Sequence, residues 1–143
     1  MARIRELLND RETYFVQSGI TAKEAAQYML EKNVGAVPVV EGSALVGVLS
    51  ERDLVRRILM QGRDWSKTKV VEVMTPEPLT VRTTEDLQEC MVLMKRHGFR
   101  HLPVSDDGSL QGFVSMRDLL LHDLDEKEIE MRMMRSYITS GGE

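Results

Sequence analysis

A serine, an arginine and an aspartate occur twice in this chain at the same spacing and in the same hydrophobic context. The sequence reads GVLSERDL from residue 47 and GFVSMRDL from residue 112. Ser followed three residues later by Asp, ahead of an apolar run, is typical of a helix capping box. There the hydroxyl accepts a hydrogen bond from the third helical N–H, and the carboxylate accepts one from the serine N–H. The spacing therefore predicts that Ser50 and Ser115 are helix N-caps, each worth about 1 kcal/mol.

The same residues also have the chemistry of a nucleotide site. A helix N-terminus offers a phosphate free N–H groups and the positive end of the helix dipole. Asp53 and Asp118 could accept both hydroxyls of a ribose, as acidic residues do in other nucleotide-binding folds. Arg52 and Arg117 add guanidinium groups that match phosphate oxygens. The glycine that begins each motif could let a ring or another backbone approach closely. Together these parts predict a purine nucleoside phosphate site, with Ser on the phosphate side and Asp on the sugar side.

The two motifs end a longer internal repeat. A shift of 65 positions aligns residues 16–54 with residues 81–119 without a gap, and 11 of the 39 pairs are identical. This is the signature of a tandem duplication. Each copy reads as a short strand, an amphipathic helix, a hairpin and a final helix that opens with SERD or SMRD. Asn33 and Gly98 stand where the first helix of each copy should end in left-handed backbone.

The predicted fold class is α/β (α+β), with tandem β-α-β-β-α repeats related by pseudo-twofold symmetry. We place repeat 1 at residues 7–60, repeat 2 at residues 72–123 and a C-terminal helix at residues 124–140, all within one module spanning residues 1–143. A unit of about 50 residues buries little apolar surface alone. We therefore expect the repeats to bury their sheets against each other and to fold as an inseparable pair.

Each final motif is preceded by an apolar-x-Pro-apolar run, within VGAVPVV and FRHLPV. In this combination the chain resembles a CBS domain pair, also called a Bateman module, over about residues 12–123. The resemblance implies a regulatory module that senses energy or metabolite state without catalysis. Its effector would be AMP, ADP, ATP, NAD or S-adenosylmethionine, bound in one or two clefts between the repeats. It implies no obligatory cofactor, a homodimer, and an effector protein that the sequence does not identify.

The resemblance also assigns roles to residues. The Ser–Asp pair of each motif would complete one cleft. Tyr14 and Leu79 would form apolar walls against the base. The residues at the start of each hairpin would lie beside the base and the phosphates. The segment YFVQSGIT departs from the usual family pattern at Ser18-Gly19, which affects the expected shape of the first repeat's base pocket. The full set of predicted ligand-binding residues is Tyr14, Val34, Gly35, Ser50, Arg52, Asp53, Leu79, Phe99, Arg100, His101, Ser115, Arg117 and Asp118.

Composition narrows the class of partner and compartment. The net charge of -4 argues against a nucleic-acid binder, which normally has a basic face. No apolar run is long enough to cross a bilayer, and the N-terminus is too polar for a signal peptide, so we expect no membrane partner. The single Cys90 cannot form an internal disulfide, which fits a reducing cytoplasm.

Neither a metal site nor an active site is predicted. His97 and His101 form an H-x-x-x-H pattern, but the first should end a helix and the second should begin a strand, and no Cys or His cluster completes a coordination shell. We expect His101 to contact phosphate instead. The sequence has no G-x-S-x-G nucleophile elbow, so we predict no catalytic residues.

The C-terminal segment leaves its own role and the function of the chain open. Leu124, Met131 and Ile138 are spaced seven residues apart, a stripe that could fold back on its own domain or help two chains pair. The chain could accordingly be a homodimeric sensor of an adenine-containing ligand, or a structural homodimerisation scaffold with empty clefts. The basic residues predicted at the clefts favour the sensor, because an empty cleft gains nothing from uncompensated positive charge.

Overall fold

The computed structural model describes residues 2–9 and 11–141. The predicted mixed α and β class and the repeated β-α-β-β-α pattern are confirmed. The elements of the first half are α1 (Ile4–Leu8), β1 (Val16–Gln17), α2 (Ala22–Lys32), β2 (Ala36–Glu41), β3 (Ala44–Ser50) and α3 (Glu51–Leu54), which continues as a π-helical turn over Val55–Leu59. Those of the second half are α4 (Val70–Val73), β4 (Thr75–Pro76), α5 (Leu87–His97), β5 (His101–Asp106), β6 (Ser109–Ser115) and α6 (Met116–Gly141).

Two antiparallel hairpins of identical register form the centre of the fold. The pairing of β2 with β3 begins at Ala36↔Ser50, and that of β5 with β6 begins at His101↔Ser115, 65 residues later in each strand. Each hairpin also shifts register once, after Val39 in the first half and at the equivalent place in the second. The gapless alignment of the sequence is therefore reproduced as identical hydrogen-bonding partners.

The hairpins join at their edges into one sheet. Its strand order is β1-β2-β3-β6-β5, with β4 paired to β3. The hairpins meet through the antiparallel pair Ala44↔Ser109 near their turns. In the first half β1 lies parallel to β2 through Val16↔Val39, and the equivalent bridge in the second half is Val81↔Val104.

The helices after the first strands begin and end as their sequences predict. The α2 helix begins at Thr21, whose hydroxyl accepts from the backbone N–H of Glu24 in a capping box. The α5 helix begins at Asp86, whose carboxylate accepts from the N–H of Gln88. Asn33 ends α2 and Gly98 ends α5, both in left-handed backbone, with φ of 56° and 70°. The predicted helix ends are confirmed.

The short helices α1 and α4 each pack on the opposite half of the molecule. In α1 the N–H groups of Ile4 and Arg5 donate to carbonyls of Glu85 and Thr83 in the second half. In α4 those of Val70 and Val71 donate to carbonyls at the equivalent positions 20 and 18 of the first half. The two halves therefore exchange their leading segments.

This exchange explains why a glycine occurs at the same place in both repeats. A Cβ atom at Gly47 would lie 2.8 Å from the carbonyl oxygen of Thr75, and one at Gly112 would lie 2.5 Å from a methyl carbon of Leu8. The expected close approach of another backbone is confirmed at Gly47, whereas at Gly112 the approaching group is an aliphatic side chain. The approaching groups are the exchanged segments of the chain itself.

The buried side chains form two clusters, which differs from the expected burial of one sheet against the other. The first cluster includes Val70, Val73 and Met74 from the segment that leads the second half. The second includes Ala2 and the fully buried Ile4 from the start of the chain. Since each core is completed by a segment from the other half, exchanged segments rather than facing sheets tie the halves together.

The α6 helix runs for 26 residues from the end of β6 through the C-terminal segment. Of the two alternatives for this segment, folding back on its own domain is wrong, because Leu124, Met131 and Ile138 are 61%, 53% and 67% exposed. Among the described residues, no helix combines the length and apolarity required to cross a membrane.

Candidate functional site

Both predicted capping boxes are present. The hydroxyl of Ser50 accepts from the N–H of Asp53 at 3.1 Å, and the Asp53 carboxylate accepts from the N–H of Ser50 at 3.0 Å. The equivalent distances between Ser115 and Asp118 are 3.0 and 2.8 Å. Ser and Asp are therefore fixed at the starts of α3 and α6, and the structural interpretation of the repeated motif is confirmed.

A second backbone contact places the start of each hairpin beside these helix starts. The carbonyl of Gly35 accepts from the N–H of Glu51, and the carbonyl of Arg100 accepts from the N–H of Met116, both at 2.9 Å. The residues just before β2 and β5 therefore lie against the first turns of α3 and α6. This contact brings the Ser–Asp pairs and the hairpin starts together.

The first cleft has a volume of about 620 Å³ and lies between the halves. The first half contributes the capping box of α3, and the second half contributes residues in and just after β4 and the residues that lead into β5. Of the predicted ligand-binding residues, those lining the first cleft are Gly35, Ser50, Arg52, Asp53, Leu79, Phe99, Arg100 and His101.

The second cleft, of about 350 Å³, is the pseudo-symmetric counterpart of the first. The capping box of α6 faces the segment before β1 and the segment that ends α2. Of the predicted residues, those lining the second cleft are Tyr14, Val34, Gly35, His101, Ser115, Arg117 and Asp118. All predicted ligand-binding residues thus line one cleft or the other, and Gly35 and His101 line both. Their roles in binding stay predictions.

The first cleft is richer in arginine than the sequence indicated. Its lining includes Arg56 and Arg57 as well as the predicted Arg52 and Arg100. The missed pair lies three and four positions after Asp53, the spacing that places helical residues on one face, and this signal could have found them. Arg57 also donates to the carbonyls of Val73 and Met74, so it fastens the exchanged segment to the cleft wall.

The two carboxylates have different partners, and the sequence indicated neither of them. Asp53 is buried, and its Oδ1 accepts from the hydroxyl of Thr75 at 3.1 Å. Asp118 is partly exposed, and its Oδ2 accepts from the guanidinium of Arg11 at 3.2 Å. Burial acts to raise the pKa of Asp118, but the hydrogen bonds from Ser115 and the charge of Arg11 outweigh it and hold this pKa below its usual value. One carboxylate therefore has a neutral partner and the other a cation.

His101 lies where the two clefts meet. Its ring stacks on that of Phe113, with centroids 5.2 Å apart and planes 9° from parallel. Burial lowers the pKa of His101, the charge of Arg100 lowers it further, and Asp118 partly opposes both. The imidazole is therefore neutral at neutral pH and can accept or donate a hydrogen bond on either side.

The aromatic walls of the two clefts differ in their surroundings. Phe99, at the first cleft, is half-exposed and stacks on His97 with centroids 5.4 Å apart. Tyr14, at the second cleft, meets Tyr28 edge to face, and the ammonium of Lys32 lies 5.3 Å from the Tyr14 centroid. The first cleft therefore offers a freer apolar ring, and the second offers one already in contact with a cation.

Comparison with known proteins identifies the same two units. The CBS domain family matches residues 4–60 and 70–125. The CBS domain-containing protein YhcV of Bacillus subtilis (strain 168) is 40% identical over 104 residues, which cover 73% of this chain and 74% of YhcV. The mitochondrial CBS domain-containing protein CBSX3 of Arabidopsis thaliana is 36% identical over 126 residues, which cover 85% of this chain and 61% of CBSX3.

A solved structure is similar over nearly the whole fold. The crystal structure of CBSX2 in complex with AMP has a TM-score of 0.78 and 29% identity, and the match covers 89% of this chain and 99% of that one. The two segments matched by the family begin at or next to α1 and α4, the helices that the halves exchange.

Proposed function

This chain belongs to the CBS domain family, and from that premise we propose that it is a non-catalytic regulatory module with an adenine nucleotide or related adenosyl ligand as its effector. The resemblance found in the repeated motifs is confirmed by one family match in each half. The effector would bind in clefts between the halves and would change the surface that the module presents to a partner protein.

The observation that carries this proposal is the arrangement in the first cleft. A buried carboxylate, Asp53, is fixed beside a helix N-terminus in a cleft that four arginines line. A carboxylate that can accept hydroxyl groups, next to guanidinium groups that match phosphate oxygens, is suited to a sugar phosphate. The similar CBSX2 has been crystallised with AMP, which supports an adenine nucleotide as the ligand class.

The groups of the first cleft suggest an orientation for the nucleotide. The ribose hydroxyls would replace the hydroxyl of Thr75 as partners of Asp53. The phosphates would lie toward the N-terminus of α3 and the arginines, and the base would pack on Phe99 and Leu79. The cleft volume of about 620 Å³ is within the range of small-molecule sites.

The second cleft would bind more weakly and would favour a ligand with less negative charge. It is smaller, and its arginines are Arg11 and Arg117. Arg11 is already paired with Asp118, so a ribose would have to compete with a guanidinium for that carboxylate. We propose that the first cleft fills first.

The exposed stripe on α6 is the proposed route from ligand to partner. Ser115 and Asp118 at the second cleft begin this helix, and its later turns expose Leu124, Met131 and Ile138. Such an apolar face on a protein surface is typical of an interaction site. We propose that this face pairs two copies of the chain and that the effector protein reads the geometry of the pair.

The rival function is a structural homodimerisation scaffold with empty clefts, which the exposed α6 face alone would also support. A thermal-shift series with AMP, ADP, ATP, NAD and S-adenosylmethionine separates the two. A ligand at 100 times its Kd should stabilise the protein by about 2.7 kcal/mol. Stabilisation by at least one adenosyl ligand supports the sensor, and no stabilisation by any of them at millimolar concentration supports the scaffold.

A further inference from the structure

We propose that this protein has a binding site for a divalent transition-metal ion, formed by Glu6 of α1 together with His122 and Glu126 of α6. One ligand atom from each of these side chains lies within 4.8 Å of the other two. None of the three residues lines either cleft. The site is therefore separate from the proposed nucleotide sites.

The geometry of the pair on α6 fits a metal ion. His122 and Glu126 are one turn apart, so they project from the same face of the helix. The Nε2 atom of His122 and the Oε1 atom of Glu126 are 3.2 Å apart. Two ligand atoms of a tetrahedral Zn²⁺, each about 2.0–2.2 Å from the ion, are separated by roughly 3.3–3.5 Å. This pair is thus nearly at ligand spacing. The Glu6 ligand atom lies within 4.8 Å of both, so it needs to come closer by at most about 1.5 Å to complete a set of three.

The third ligand is carried by a fixed element. Glu6 lies two residues after the fully buried Ile4, and α1 is fastened to the second half by backbone hydrogen bonds from Ile4 and Arg5. A metal ion held by Glu6 and α6 would therefore join the exchanged N-terminal segment to the long helix. It would stabilise the folded state, in which the three ligands are close, over the unfolded chain.

At the pseudo-symmetric position in the first half, the equivalent carboxylate has a cationic partner. Glu72 of α4 matches Glu6 of α1, and the N–H groups of both donate to the carbonyl three residues earlier. Glu72 pairs with the guanidinium of Arg63 at 2.8 Å. In the second half the equivalent carboxylate instead faces an imidazole and another carboxylate. Two carboxylates beside one imidazole repel each other, and a cation bound between them would relieve that repulsion.

Room for the ion and its remaining water ligands is also present. A cavity of about 640 Å³ lies beside Glu6 and Glu126, between α1, the start of α5 and α6. The lysine in its wall, Lys127, is bound to Asp123 at 3.0 Å. The Lys127 ammonium therefore pairs with Asp123 and not with the proposed ligands Glu6 and Glu126.

The ligand types select the class of metal. One imidazole nitrogen with two carboxylate oxygens suits Zn²⁺ and its first-row neighbours, whereas Ca²⁺ and Mg²⁺ prefer sites made only of oxygen. The buried Cys90 is not a competing ligand. Burial raises its pKa to about 11, helped by the charges of neighbouring carboxylates, so the thiol stays protonated at neutral pH.

Zn²⁺ titration followed by calorimetry and by thermal melting, without nucleotide, tests the site. The full chain should bind about one Zn²⁺ and should melt at a higher temperature with it. His122→Ala and Glu126→Gln should each weaken binding at least about tenfold. The matched controls are His97→Ala, an exposed histidine elsewhere, and Glu72→Gln, the pseudo-symmetric carboxylate; both should bind like the unaltered chain. Absence of Zn²⁺ binding, or equal binding by all five proteins, would overturn the proposal.

Two further measurements keep the test decisive. If a variant on α6 fails to fold, Glu6→Gln replaces an exposed side chain and should give the same loss of Zn²⁺ binding. Co²⁺ bound in place of Zn²⁺ should give weak visible bands without a thiolate charge-transfer band, and a thiolate band would overturn the ligand assignment in favour of Cys90. Since the clefts are not involved, AMP affinity should be the same in Glu6→Gln and the unaltered chain.

Discussion

Arg11 and Asp118 are 107 residues apart in sequence, and the guanidinium of the first donates to Oδ2 of the second at 3.2 Å. This oxygen also accepts from the N–H of Ser115, so a ribose that takes both oxygens of the carboxylate would have to displace Arg11. In the first cleft the N–H of Ser50 donates to Oδ2 of Asp53, and the neutral hydroxyl of Thr75 donates to the other oxygen, Oδ1. The two clefts are therefore unequal although the motifs that build them are repeated.

The first prediction follows from this pair. In Arg11→Gln, adenosine, which has no phosphate, should bind the second cleft about 1.4- to 5-fold more tightly, because an exposed ion pair worth roughly 0.2–1 kcal/mol no longer competes for Asp118. Calorimetry with adenosine measures the change. The control is Arg82→Gln, which removes another exposed arginine–aspartate pair away from both clefts. Weaker adenosine binding in Arg11→Gln than in the control would contradict competition.

The second prediction concerns the carboxylates. If they hold ribose hydroxyls, Asp53→Ala and Asp118→Ala should each remove hydrogen bonds worth about 1.5–3 kcal/mol, which corresponds to roughly 10- to 150-fold weaker nucleotide binding in the affected cleft. Calorimetry with AMP and ATP measures the affinities. The loss of AMP affinity should be larger in Asp53→Ala than in Asp118→Ala.

A matched control for these variants is available in α5. Asp86 also caps a helix, by accepting from Gln88, but it lines neither cleft. Asp86→Ala should lower the melting temperature by a similar amount and leave AMP affinity unchanged. Unaltered affinity in the double variant of Asp53 and Asp118 would mean that these residues are helix caps alone.

The third prediction concerns the exchanged segments. Ile4→Ala should lower the free energy of unfolding by about 2–5 kcal/mol although it lies near the chain start, because Ile4 is fully buried in the core of the second half. Leu30→Ala, at a position that is 83% exposed, should change it by less than about 0.5 kcal/mol. Urea denaturation measures both.

The same exchange predicts that the halves do not fold separately. A fragment of residues 1–68 lacks Val70, Val73 and Met74, which the core of the first half requires. It should be unfolded or aggregated by circular dichroism and light scattering. A monomeric fragment that melts cooperatively would disprove this account of the fold.

The fourth prediction concerns assembly. We expect a dimer of about twice the 16.3 kDa chain mass in sedimentation equilibrium. Met131→Glu combined with Met134→Glu should weaken it, since a carboxylate buried at an apolar contact is costly. The control is Glu128→Gln, on the same helix but in an exposed ion pair with Arg132, and it should leave the dimer affinity unchanged. A chain that sediments as a monomer at high micromolar concentration would refute the dimer.

The fifth prediction concerns pH. The pKa of His101 is lowered in the folded protein, so the unfolded chain binds more protons in the pH range below the unfolded value of about 6.5. The stability that depends on His101 is fully present above about pH 6.5, and it is lost as the pH falls toward the lower pKa that His101 has in the folded protein. In His101→Asn, the free energy of unfolding should therefore fall less between pH 7.5 and 5.5 than in the unaltered chain. Equal slopes in urea denaturation would show that His101 does not contribute.

Local sequence was sufficient for the repeated elements, whereas most of the residues at the clefts were indicated by the resemblance to the family. The 65-residue shift predicted both hairpins in one register, the Ser–Asp spacing predicted both capping boxes, and Asn33 and Gly98 ended their helices as expected. These features depend on contacts within a few residues or between neighbouring strands. Hydrophobic periodicity and the short list of residues suited to helix ends and turns therefore encode them directly.

Tertiary structure alone decided how the halves are joined and how the clefts differ. No periodicity indicated that Ile4 belongs to the core of the second half, or that Arg11 reaches Asp118 and Arg57 reaches the carbonyls of α4. An isoleucine can be buried against many apolar surfaces, and an arginine can pair with many acceptors. Chain topology determines which of these surfaces and acceptors is close enough. The same reason applies to Glu6, His122 and Glu126, because their spacing in sequence does not indicate that α1 lies against α6.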